Sequence, residues 1–213
     1  STKADLCVGF CLGGDFMKYQ VLLFILALWL LLIATQYLGI NYFAFNRQGI
    51  ANGEYWRLLT AHFIHLNQSH LLLNMLGVAL VLMLFEQVLL IWQWFVVMII
   101  SALAISTLIY LYLPQVTGYV GLSGVIHTLY VVGVMQLFMQ PKERFFAVGL
   151  ACLVTLKLLT ENRGQGISVT ADLIGGHVLF QAHLYGAWVG LFWGSVLSLF
   201  SQTRSNNSDI KQQ

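Results

Sequence analysis

The chain has 213 residues, 59% of them hydrophobic and only 8% charged, where a soluble domain carries about 25% charged residues. So few charges exclude a water-facing surface over most of the molecule and leave lipid as its solvent. The net charge of +2 excludes a nucleic-acid-binding stripe, and the three cysteines, Cys7, Cys11 and Cys152, are no disulfide framework.

Apolar runs fall at residues 19–40, 69–87, 91–113, 122–139, 145–160 and 177–200. A bilayer core takes about 20 apolar residues per helix, and only helices or closed barrels satisfy their backbone in lipid. The runs are continuous rather than alternating, which predicts an all-α membrane protein of six transmembrane helices. The first run exceeds a signal-peptide core and lacks a small-x-small cleavage site, so it reads as an uncleaved span. The fifth is short and holds Lys157 near its end, placed to snorkel to the interface. The expected organisation is a cytoplasmic segment over 1–18, a membrane domain over 19–200 and a polar, frayed tail over 201–213. The stretch 41–68 is long for a loop and aromatic-rich, which suits the membrane interface. On a six-helix path Lys3, Lys18, Lys142, Arg144, Arg204 and Lys211 fall on one side, and Arg47, Arg57, Lys157 and Arg163 on the other. That bias places both termini in the cytoplasm.

Strongly polar residues in a membrane are costly and face the bundle interior. Three clusters stand out. H-L-N-Q-S-H-L-L-L-N holds His65, His70 and Asn74; G-L-S-G-V-I-H holds Gly121, Ser123, Gly124 and His127; the third holds His177, His183, Gly186 and Gly190. His70 and Asn74, four apart, share a helix face. Ser123 falls in the first turn of the fourth helix and His183 about two turns into the sixth, so the clusters arrive at similar depth in the outer half. Gly186 and Gly190 allow a close helix approach, as would Gly121 and Gly124. A serine needs a base to become a nucleophile, and a serine–histidine pair without an obvious carboxylate is a workable arrangement. The Ser123 N–H, His70 and Asn74 are candidate donors to an oxyanion. Each also has a plain structural reading: a serine bonded back to a carbonyl, satisfied interior histidines, glycines that only pack. The functional case rests on their convergence.

Trp56–Arg57, His70-x-x-x-Asn74, Gly121-x-Ser123-Gly124 and Ala182-His183-x-x-Gly186-x-x-x-Gly190 together resemble the rhomboid protease family in order and spacing. The resemblance implies a rhomboid-like six-helix bundle with an outward-opening, water-filled site. It implies Ser123 as nucleophile, His183 as general base, and His70 with Asn74 near the oxyanion. Glu86 resembles an acid that pairs with first-loop polar groups, and His65 a further first-loop histidine of structural role. Relatives often carry tyrosine where this chain has His127, a ring expected to pack against the base. Compact length and G-L-S-G-V-I-H resemble the rhombosortase subfamily, which implies a bacterial inner-membrane enzyme acting on membrane-anchored proteins with a C-terminal Gly-Gly plus helix tail. No cofactor or metal is expected: no H-E-x-x-H pair is present, and His62, His65 and His70 lack the carboxylates that usually back metal ligands. An aspartyl protease lacks its two membrane aspartates. A client-binding pseudoprotease would be expected to lose Ser123 or His183, and a small transporter to show inverted repeats.

Overall fold

The computed structural model describes residues 3–162, 171–172, 174–176 and 178–210, with side chains over 17–162 and, beyond the break, up to 200. His177, Arg163 and the side chains of Cys7 and Cys11 lie outside the described set.

Six long helices are present among the described residues: α1 (Lys3–Leu38), α2 (Gln68–Leu84), α3 (Ile91–Tyr112), α4 (Ser123–Phe138), α5 (Arg144–Asn162) and α6 (Phe180–Ile210). Segments of α1, α3, α5 and α6 are long and apolar enough to cross a bilayer. A fifth crossing forms if the short turns of Arg57–Phe63 are joined to α2, which they meet at 92°. α4 has 16 residues, about 24 Å, less than a full hydrocarbon core of about 30 Å. Its face is not lipid-facing: Val125, Leu129 and Val132 are fully buried, and so is Thr128. An apolar helix buried all round is the centre of a bundle, and the other helices pack about it. α1 shows the opposite pattern. Val21, Ile25, Leu28 and Leu32 form one buried stripe while Leu22, Leu23, Leu26 and Leu30 are exposed, an apolar surface made for lipid. The protein is an integral membrane protein.

Three boundaries of the terminal helices differ from expectation. α1 begins at Lys3 and α6 runs on to Ile210, so the flanking segments continue the helices. Neither 201–210 nor 3–8 contains proline or glycine, and polarity alone does not end a helix. α6 also starts at Phe180 rather than 177.

The 41–68 stretch is a set of short turns pinned by two arginines. Arg57 is buried; it pairs with Glu54 and donates to the carbonyls of Asn41 and Ala44, each at 2.9 Å. The acid that serves Arg57 is therefore Glu54, its near neighbour in sequence, and not Glu86. Arg47 donates to the carbonyls of Ile109, Tyr110, Leu113 and Val116 at 2.8–3.0 Å, tying the C-terminus of α3 to the first loop. A two-residue ladder, β1 (Phe45–Asn46) with β2 (Gly118–Tyr119), joins this loop to the one before α4.

The tightest contact is α4 against α6. A methyl on Gly124 would sit 2.9 Å from the Ala182 carbonyl oxygen, one on Gly190 2.8 Å from Val131 Cβ, and one on Gly186 inside the Gly124 carbonyl. Polar bonds cross the same seam: Thr128 Oγ1 donates to Gly186 O at 2.8 Å, and Gln136 to Gly194 O at 3.0 Å and Ser198 Oγ at 3.1 Å. Gly186→Leu should therefore lower the unfolding temperature in detergent, by an overpacking cost of about 1–3 kcal/mol. Gly149→Ala, where a methyl meets nothing within 4 Å, should leave it unchanged or raise it, since alanine is better in a helix by up to about 1 kcal/mol.

Candidate active site

Ser123 is the first residue of α4, so its backbone N–H has no intrahelical acceptor. The turn that delivers it depends on Gly121, whose φ of +118° is a left-handed conformation that side chains disfavour. Gly121 thus lies ahead of α4 rather than in the helix seam. It is held from two sides: its N–H donates to Ala61 O at 2.9 Å, and Tyr119 Oη donates to its carbonyl at 2.8 Å. Burial raises the Tyr119 phenol above its ordinary range, so it remains a donor. Edge-on packing against His62, at 5.3 Å between centroids, backs the phenol.

His183 lies in the first turn of α6, nearer the helix start than the sequence suggested. Its Nε2 is 2.9 Å from Ser123 Oγ. Its Nδ1 is 2.8 Å from a carboxylate oxygen of Glu161, one residue before the end of α5. Sequence reasoning did not single out Glu161. The fifth apolar run stops at 160, so the acid fell just past the end of that predicted span; the available signal was Lys157, one helical turn earlier, a basic residue needing a partner. The two are paired in the structure, and Lys157 lines the central cavity instead of snorkelling outward.

His127, one turn below Ser123, donates from Nδ1 to Ser123 O at 2.8 Å. Its ring stacks on His183 with centroids 4.4 Å apart and planes 16° from parallel. His127, Glu161 and His183 bring ligand-type atoms within 4.8 Å of one another. Three of the four nitrogens of the two rings already have protein partners at hydrogen-bond distance. The set is built for hydrogen bonding. His62, His65 and His70 are likewise not assembled as ligands: His62 Nε2 meets Ser106 Oγ at 2.8 Å, and His65 packs edge-on to His70 at 5.0 Å.

On the far side of Ser123 stands His70, near the start of α2. The Asn67 side chain caps that helix by accepting from His70 N–H at 2.9 Å. Leu66 N–H donates to His70 Nδ1 at 3.4 Å, which leaves the Nε2 proton for the Ser123 side. A methyl on Gly121 would lie 2.7 Å from that Nε2. Asn74 donates one amide hydrogen to His70 O at 2.9 Å and keeps the second. Ser123, His183, His70, Asn74, His127 and Glu161 all face one cavity of about 750 Å³, large enough for a peptide segment and water.

A serine at a helix start, a histidine within hydrogen-bond reach on a second helix and donors on a third are the groups that acyl transfer requires. A family model described as the Rhomboid domain matches residues 52–200, more than half of the chain. The chain belongs to the rhomboid family, whose members are intramembrane serine proteases acting on membrane proteins. A search of curated proteins finds no match.

Because Gly121 carries both a positive φ and the contact with His70, Gly121→Ala should slow labelling of Ser123 by a fluorophosphonate at least about tenfold, the left-handed cost alone being about 1–2 kcal/mol. The rate of probe incorporation into folded protein measures it.

Proposed function

We propose that this chain is an active serine endopeptidase that cleaves membrane-anchored proteins in or near their spanning segment, with Ser123 as nucleophile and His183 as general base. The observation that carries the reading is the 2.9 Å approach of Ser123 Oγ to His183 Nε2 within the cavity. Ser123 Oγ attacks the scissile carbonyl and its proton passes to His183 Nε2. The tetrahedral oxyanion accepts from the Ser123 N–H, His70 Nε2–H and the second Asn74 hydrogen. Collapse breaks the C–N bond as His183 returns the proton to the leaving amine, and water then hydrolyses the acyl-enzyme by the reverse proton path. His127, stacked on the base, holds its plane. Gly121 lets His70 approach; Gly124, Gly186 and Gly190 let α4 and α6 approach.

The topology proposed with this chemistry is six membrane crossings, with α4 as a short central one, both termini cytoplasmic and the cavity opening outward in a bacterial inner membrane. The six-to-four distribution of basic residues supports that orientation. The domain extends over 19–200, flanked by 1–18 and 201–213. G-L-S-G-V-I-H and the compact length support a rhombosortase-type substrate, an anchored protein with a C-terminal Gly-Gly plus helix tail.

Ser123→Ala and His183→Ala should each abolish cleavage of such a substrate while leaving folded protein, and the double variant should lose no more than either single one. Near-normal turnover by Ser123→Ala would end the serine-protease reading.

His70→Ala and Asn74→Ala should each slow turnover by roughly ten- to a thousandfold, with labelling of Ser123 weakening in parallel; unchanged kinetics in the double variant assign both to packing. His127→Phe, keeping a flat ring, should retain measurable turnover where His183→Phe retains none. Mass spectrometry of the released product should place the cut at the outer end of the substrate helix.

A further inference from the structure

The geometry points to Glu161 as the positioning residue of a three-membered relay, Glu161–His183–Ser123, in which one carboxylate oxygen fixes the proton on His183 Nδ1 and Lys157 holds the other. This rests on the reading of Ser123 and His183 above and adds a member to it.

The case begins with hydrogen-bond inventory. An ionised carboxylate only accepts, so the 2.8 Å contact between Glu161 and His183 Nδ1 requires the proton on Nδ1. The Nε2 lone pair is then bare and faces Ser123 Oγ at 2.9 Å, the tautomer a base needs. With the proton on Nε2 instead, the imidazole would present a donor to the serine and could not take its proton. Among the described residues no other contact at Nδ1 makes this choice: the stacked His127 fixes the plane of the ring and not its tautomer.

Burial sharpens the argument. The Glu161 and His183 side chains are 8% and 6% exposed, while Lys157 is 50% exposed. An isolated carboxylate so placed would protonate or be expelled. Lys157 reaches it from the cavity side and neutralises one oxygen, leaving the second directed at the imidazole. If the ion pair alone were at issue, a half-exposed lysine would favour a partner in the wet part of the cavity, because burying one member costs desolvation. The acid is instead drawn in against the base. When His183 becomes an imidazolium during attack, the adjacent carboxylate stabilises it without itself taking the proton.

The test uses the full chain in detergent, reading the rate at which a fluorophosphonate labels Ser123 and the ¹⁵N spectrum of His183. Wild type should show Nδ1 protonated and Nε2 bare; the reverse tautomer overturns the proposal without any variant. Glu161→Gln, isosteric but able to donate as well as accept, should lose that single tautomer and slow labelling about a hundredfold or more. Glu161→Asp should recover part of the rate. The neutral double variant Lys157→Met with Glu161→Gln removes the ion pair as a whole and carries the test if Glu161→Gln fails to fold. It should stay as slow as Glu161→Gln. Recovery to within about threefold of wild type would make Glu161 a partner of Lys157 only and sink the relay. The two readings fail separately: turnover that survives Ser123→Ala removes the protease, whereas Ser123-dependent labelling indifferent to Glu161 removes only its third member.

Discussion

The close approach of α4 to α6 is the constraint on which the rest depends. Ser123 and His183 are 60 residues apart and meet only because the helices carrying them touch backbone to backbone at Gly124, Gly186 and Gly190. In lipid no hydrophobic force favours one helix face over another, so association rests on packing and on bonds across the seam. Thr128 and Gln136 supply those bonds from the buried helix. A methyl at the wrong position would separate the seam by more than a hydrogen bond can stretch, and Ser123 Oγ would lose its contact with His183 Nε2 although neither residue had been altered.

The membrane class and the long helices were legible because lipid imposes a strong pattern: continuous apolar runs with polar residues confined to three places. The histidine on α6 and the serine on α4 were legible for the same reason, since each is costly where it stands. Helix ends were less so. The flanking stretches at 3–18 and 201–210 stay helical, the first in spite of Gly9, Gly13 and Gly14, while α4 is shorter than a full span although its sequence is apolar, because its solvent is protein and not lipid. An apolar run does not say which it will have.

Two acids escaped sequence reasoning in instructive ways. Glu54 serves Arg57 from three residues away, a local pairing hidden inside an irregular loop, whereas Glu86 drew attention by resemblance. Glu161 sat one residue beyond the predicted end of an apolar run, where a charge reads as the water boundary. Its burial comes from α6 folding back across the end of α5, a contact between chain segments that no local pattern encodes. The role of Gly121 was similarly hidden: a glycine beside a serine looks like helix packing until φ shows it to be the bend ahead of the helix.

Arg47 has a mechanical consequence. One guanidinium ties the first loop to the end of α3 and the turn beyond it, the β1–β2 ladder ties it again two residues before Val120, and Gly121 N–H ties the following turn to Ala61. The segments on either side of the serine are thus fastened into a single lintel. Tilting that lintel would break several bonds together, so a displacement of the first loop carries the turn ahead of Ser123 with it.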